Sequence, residues 1–258
     1  FLKAPHYFEY EKTFDPFLLL SKKRYVGMLF EHDPNKGKRK EMGIVLKRRD
    51  NAPIVKDVYG GLIDILMNAH DIPAAIQFVK SFLQDIVDEK FPLEKLIITK
   101  KLNSFYKNPE SIAHKVLAER MGKRDPGNKP SVGSRVPFVY IQTKGKVKLQ
   151  GNKIENPEYI RANNLKPDYG FYITNQLMKP IQQVFALILE DIPSFKRKVP
   201  AFKRKCEYLK QTHKDDEKYN KKEEALRNKE VKKIIFDDAL RQANNIKNGQ
   251  KSIKKFFG

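Results

Sequence analysis

The chain has 258 residues, 40% of them hydrophobic and 11% aromatic, enough for one large domain or two small ones around a real core. Fifty-two Lys and Arg against 31 Asp and Glu leave a net charge of +21. Nucleic acid is therefore the leading partner class, with a basic ribosome-associated or membrane-surface protein as the alternative. A single cysteine, Cys206, excludes an intramolecular disulfide and a cysteine-based zinc site and fits a reducing compartment. No stretch approaches the ~18 apolar residues of a membrane helix.

The opening Phe1-Leu2-Lys3-Ala4-Pro5 has neither an initiator Met nor the apolar run of a signal peptide, so a fragment or one piece of a split protein is expected. His6–Glu11 alternates as a strand would, with Tyr7, Glu9 and Glu11 on one face. Phe17–Leu20 and Tyr25–Phe30 are further strands. Asp33-Pro34-Asn35-Lys36-Gly37 is a turn by composition, and Glu41–Leu46 reads as the returning strand. Ile54–Ala69 has helical spacing, with Gly60-Gly61 as its weak point. Asp71 is an N-cap and Pro73 lies in the first turn of a helix to about Val87. Leu96–Thr99 is a short apolar run ahead of Lys100-Lys101.

Asn108-Pro109 opens another helix, to about Met121, and 125–133 is rich in helix breakers. Val136–Thr143 is a strong strand, and Thr143–Lys146 can turn it back into a partner at Val147–Gln150. Tyr169–Leu189 is a long amphipathic helix. A boundary falls near Pro193–Pro200. Beyond it the composition changes: residues 196–258 hold 20 Lys and Arg against 9 Asp and Glu, a net +11 of the +21. Residues 207–247 favour a charged helix or disorder with helical tendency.

Two basic clusters are candidates for phosphate contact. In Ser21-Lys22-Lys23-Arg24-Tyr25, strand alternation points Lys22 and Arg24 one way and Lys23 and Tyr25 the other. Cations there suit phosphate oxygens and minor-groove acceptors, or simply a solvated strand end. In Lys47-Arg48-Arg49-Asp50-Asn51, the acid is placed to order its basic neighbours; a charged hairpin exit would look the same.

In order along the chain, Phe8-Glu9-Tyr10-Glu11-Lys12, Pro16–Tyr25 with its Lys22-Lys23-Arg24-Tyr25 core, and Arg48-Arg49-Asp50-Asn51 resemble the palm edge of family B DNA polymerases of the delta type. Ala118–Gly127 and Gly133-Ser134-Arg135-Val136-Pro137-Phe138-Val139 resemble the thumb of that family. So does the helix from Tyr172 to Phe185, with Gln176-Leu177 and Lys179-Pro180. The resemblance covers roughly residues 5–190. The shortened loops and the absence of C-terminal cysteines look more like the enzymes of large DNA viruses.

The resemblance implies an α+β fold: antiparallel palm-edge strands (residues 1–53), a mostly helical thumb with a β-hairpin (54–192), and a basic helical or disordered tail (193–258). It implies that Lys23 contacts the minor-groove edge at the primer terminus, with Lys22 beside it, and that Arg24 and Tyr25 hold the primer backbone. Arg48, Arg49, Asp50 and Asn51 belong to the same DNA-binding surface, and Lys123, Arg124 and Arg135 grip duplex phosphates. Glu9 and Glu11 correspond to carboxylates near the metal site, as accessory Mg2+ ligands. The family's two motifs with the main metal-binding aspartates, a Ser-Leu-Tyr-Pro run and a Tyr-Gly-Asp-Thr-Asp core, are absent from this sequence. Two-metal phosphoryl transfer needs those carboxylates. The expectation is that this chain does not polymerise DNA alone and works with an N-terminal portion on primer-template DNA and deoxynucleotides. It would act inside the cell at replication sites, in a nucleus or viral factory, and would not be secreted.

At the C-terminus, Gln250, Ile253, Phe256 and Phe257 have the spacing of a sliding-clamp peptide. In one 3₁₀ turn Ile253 and Phe256 would form a plug flanked by Phe257. A hydrophobic end folded back onto the thumb is the alternative, and a non-catalytic clamp-tethered DNA-binding module is the competing function.

Overall fold

The computed structural model describes residues 5, 7, 9–143, 145, 147–213 and 215–247, without the side chain of Lys47. The fold is α+β: two three-stranded antiparallel sheets set among helices.

The first sheet has strand order β1 (Thr13–Ser21), β2 (Arg24–Phe30), β3 (Lys38–Met42). Leu18 pairs with Val26 and Val26 with Glu41. Val26 is fully buried, and Leu18, Leu20 and Met28 pack against the core from the same sheet. Along β1 exposure alternates, leaving Phe17 and Leu19 about half exposed, as the period of two dictates. The Asp33 turn forms as composition predicted, with Asp33 Oδ1 accepting from the Asn35 amide at 2.9 Å.

Two strand expectations fail here. Residues 9–12 are outside any strand, so Glu9 and Glu11 do not share a strand face; among the described residues no strand pairs with that segment, and alternation without a partner builds no ladder. The returning strand is Lys38–Met42 rather than Glu41–Leu46. Gly43, at φ 61°, turns the chain out of the ladder, and Ile44 and Val45 go into the core ahead of a 3₁₀ turn at Val45–Lys47. A Cβ at Gly43 would collide with the carbonyl oxygen of Lys23, so the glycine is required both by its φ and by this close approach.

Helix α1 (Pro53–Asp64) continues through a wider π turn at Ile65–Ala69. Gly60-Gly61 does not weaken it. Gly61 lies against the Phe78 ring, where a Cβ would collide, so the missing side chain lets α1 approach α2 (Ile72–Val87). Asp71 caps α2 as predicted, accepting from the Ala74 amide at 2.8 Å.

The second sheet has strand order β4 (Ile98–Lys101), β5 (Arg135–Tyr140), β6 (Ile154–Glu155), with Ile98 opposite Phe138 and Tyr140 opposite Ile154. The expected partner at Val147–Gln150 is not a strand. The long-range partners β4 and β6 occupy the two edges of β5 instead. Asn108-Pro109 opens only a 3₁₀ turn, and helix α3 runs from Ala113 to Arg124. A short helix, α4 (Pro157–Ala162), follows β6.

The predicted long helix is present as α5 (Tyr169–Phe171), a π turn at Tyr172–Leu177 and α6 (Met178–Leu187). Pro180 has no N–H to offer the preceding turn, which accounts for the widening before it. Buried Tyr172 donates to the Leu96 carbonyl at 2.7 Å and accepts from the Tyr140 amide at 3.2 Å, joining this helix to the sheet.

Beyond residue 193 the chain forms α7 (Val199–Thr212), α8 (Asp216–Val231), a π turn at Lys232–Phe236 and α9 (Asp237–Lys247). Some of their few apolar residues face inward, while Tyr208 and Ile246 stay exposed. Phe202, Val231, Ile235 and Phe236 are buried and belong to the hydrophobic cluster that starts at Val26. Arg227 of α8 donates to the Ala186 carbonyl at 3.2 Å and to Glu190 at 3.0 Å, and its guanidinium lies 5.4 Å from the Phe202 ring centre.

Candidate nucleic-acid interface

Lys22 and Lys23 do not alternate along a strand. They form the two-residue turn between β1 and β2, where Ser21 pairs with Arg24, and Lys23 takes a left-handed φ of 63°. That conformation is uncommon outside glycine, and it sets both ammonium groups at the tip of the hairpin, exposed and in no ion pair among the described residues. Arg24 differs: its Nη2 donates to Gln183 Oε1 of α6 at 2.9 Å and its Nε to the Gly43 carbonyl at 3.4 Å. The Tyr25 ring joins those of Phe14 and Phe17, with centroids 5.6 and 5.5 Å away.

The loop after β3 is built around an acid, as its composition suggested. Arg48 Nε and Nη2 donate to the two oxygens of Asp50 at 3.0 and 2.8 Å. This fork holds the Asp50 carboxyl below the usual carboxylate range, and nearby Lys100 adds to the effect. Arg49 is exposed, and its carbonyl is taken from across the molecule. Arg135 Nη2 donates to it at 3.3 Å and to the Thr99 carbonyl at 2.7 Å, while Arg135 Nε donates to Thr99 Oγ1 at 3.0 Å. Arg135 thus clasps the 48–51 loop to β4 and β5. Beside the clasp stand Lys100 and Lys101, with Lys101 opposite Arg135 in register, both exposed and without an ion pair among the described residues. These two lysines escaped assignment; the signal was a lysine pair at a strand end, the same pattern as Lys22-Lys23. Asn51 is half-buried, and its side-chain nitrogen has no partner among the described residues.

The third cluster ends α3, whose last turn carries Lys123 and Arg124, the end of a helix where cations are favoured. Arg124 donates to Glu155 Oε2 at 3.0 Å and lies over the Tyr159 ring, 3.6 Å from its centre. Arg120 meets the same oxygen at 3.4 Å and donates to the carbonyls of Gly151 and Ile154 at 3.0 and 2.6 Å. Glu155 is buried, and two guanidiniums offset the cost of burying its charge. Lys123 is exposed and has no ion pair among the described residues. One turn earlier, Glu119 sits between Lys115 and Lys129, at 2.6 and 2.8 Å, and the two hydrogen bonds pull its carboxyl down to about 2.

Glu9 and Glu11 are exposed, and Glu11 pairs with Lys12. The described residues contain no group of three or more His, Cys, Asp or Glu able to hold a metal ion, so these two carboxylates do not make a magnesium site on their own. Gln250, Ile253, Phe256 and Phe257 lie outside the described residues.

The profile of DNA polymerase family B matches residues 1–188, taking in all three basic clusters. The chain belongs to this family. This polymerase chain is 53% identical over 258 residues to a DNA polymerase of Pyramimonas orientalis virus, covering 99% of this chain and 21% of that protein. It is 51% identical over 201 residues to a DNA polymerase of Acanthamoeba polyphaga mimivirus, covering 75% of this chain and 12% of that protein. It is 37% identical over 187 residues to the DNA polymerase delta catalytic subunit of Candida albicans, covering 72% and 18%. The solved family B DNA polymerase of Pyrobaculum calidifontis shares the fold, with a TM-score of 0.50 and 23% identity over 65% of this chain and 21% of that one. The polymerase chain thus spans about a fifth or less of the length of these relatives. Helices α7–α9 lie beyond the family match but within the alignment to the Pyramimonas virus protein.

Proposed function

We propose that this chain is the primer-template grip of a replicative DNA-directed DNA polymerase. The palm edge comprises residues 1–53, the thumb 54–192 and a basic tail 193–258 that ends in a sliding-clamp peptide. The observation that supports it best is a division among its cations. Arg24, Arg124 and Arg135 are engaged with protein acceptors, whereas Lys22, Lys23, Arg49 and Lys123 stand exposed and without an ion pair among the described residues. A guanidinium fork suits fixed bidentate work and an ammonium suits a mobile point contact. Lys23, at the turn tip, reads the acceptors common to the minor-groove edges of correct pairs, with Lys22 beside it on the backbone. Arg24 and Tyr25 support that turn against the primer strand. Arg49 and Lys123 meet duplex phosphates, while Arg48, Asp50 and Asn51 shape the loop and Arg124 and Arg135 hold the surface in place.

Nucleotide joining needs magnesium held by carboxylates that this sequence lacks, with Glu9 and Glu11 as accessory ligands only. The partners are therefore primer-template DNA, deoxynucleotides, the portion bearing the aspartate motifs, and a sliding clamp docked through Gln250, Ile253, Phe256 and Phe257. The setting is intracellular replication.

Primer extension tests this directly. The chain alone should give no extension, and adding the preceding portion of the Pyramimonas virus relative should restore it. Extension by the chain alone would overturn the division of labour. Binding without rescue by any such portion would favour a non-catalytic DNA-binding module.

A further inference from the structure

The segment between β4 and α3 carries a feature that the basic clusters leave unexplained. Phe105 is 80% exposed, the most exposed large apolar side chain among the described residues. Its loop is nonetheless held on both sides. Leu102 is buried and exchanges two backbone hydrogen bonds with the strand approach at Gly133 and Ser134, at 2.7 and 2.8 Å. Tyr106 accepts from the Asn103 amide at 2.8 Å, donates to the Lys101 carbonyl at 3.4 Å and lies 3.0 Å from His114 Nε2, with its ring edge-on to the imidazole. Between these anchors Asn103, Ser104 and Phe105 project outward. Lys100 and Lys101 precede the projection and Lys107 follows it, all exposed and in no ion pair among the described residues; Glu110 is the loop's one acid.

A held loop that exposes a ring keeps that apolar surface wetted, a cost a partner removes by covering the ring. A phenyl ring has no donor, acceptor or charge, so what it offers DNA is its face, for the face of a base. In duplex DNA base faces are covered by their neighbours; in a single strand they are free. Flanking cations then hold the phosphates on either side.

We propose that Phe105 is a stacking platform for an unpaired base of single-stranded DNA next to the duplex grip. The inference rests on DNA as the partner of the chain. The protein contains no tryptophan, so the Phe105→Trp variant of the full chain places one indole reporter at this position. Titration with a single-stranded oligothymidylate should quench that indole. Phe105→Ala should weaken single-strand binding by about fivefold or more while leaving blunt-duplex affinity unchanged. Phe105→Leu, apolar but without a ring face, should not restore it. Single-strand binding seen by anisotropy with no change in indole emission, and undiminished in Phe105→Ala, would overturn the platform and leave the duplex grip standing. A wild-type chain that binds neither form of DNA would overturn both.

Discussion

Arg24, Arg120, Arg124, Arg135 and Arg227 all direct guanidinium N–H groups at carbonyls, an amide oxygen or carboxylates of the protein itself. These partners lie far off in sequence: Gln183 is 159 residues from Arg24, and Arg49 is 86 from Arg135. A motif reading marks such arginines as basic and conspicuous but cannot show which acceptors fold up beside them. The Arg48–Asp50 fork stood in the sequence as one of two readings, beside a plain charged hairpin exit, because both partners lie within one turn. The same locality makes Glu119 testable. Its carboxyl is depressed from 4.5 to about 2 by Lys115 first and then Lys129. A depressed carboxylate contributes stability that is present above the unfolded value and lost as pH falls through the folded one. The contribution of this pair should therefore persist at pH 4.5 and fade towards pH 2. Carboxyl NMR should show Glu119 titrating near 2, and Lys129→Met should move it upward. A titration already near 4.5 in the wild-type chain would refute the clamp between the two lysines.

Among elements, those whose hydrogen bonds close locally were legible: β1 with β2, α2 behind its Asp71 cap, and the 169–187 helix. The misses share a cause. Alternation at residues 9–11 met no partner strand among the described residues, and the edges of β5 that Val147–Gln150 would have joined are taken by β4, from Ile98 opposite Phe138 to Lys101 opposite Arg135, and by β6. The end of β3 was set by a glycine conformation that a run of apolar letters hides.

The C-terminal helices are the most exposed to test. Charge dominates their composition, and a few buried side chains hold them. Phe236 is fully buried within the π turn between α8 and α9. Phe236→Ala should cost about 3–5 kcal/mol, as truncation of a buried aromatic does. It should also make 199–247 the first segment cut in limited proteolysis. An unshifted melting temperature with an unchanged cleavage pattern would mean that the tail does not depend on this packing.

At the scale of the whole molecule, charge, fold class and family were legible before any coordinates, because an ordered series of motifs is more specific than any one element. What the fold added is how the cations are used. Several of the 52 Lys and Arg are engaged with protein acceptors, and the proposed grip assigns the contact with DNA to the exposed lysines at the β1–β2 turn and the end of α3. Each phosphate contact in duplex DNA contributes about 0.9 to the slope of log affinity against log salt concentration. The most direct measurement is that slope for a primer-template duplex, taken on the wild-type chain and on the triple variant Lys22→Ala, Lys23→Ala, Lys123→Ala. The grip predicts tight, steeply salt-dependent binding by the wild-type chain and a slope smaller by roughly 2–3 units in the variant. An unchanged slope would contradict it.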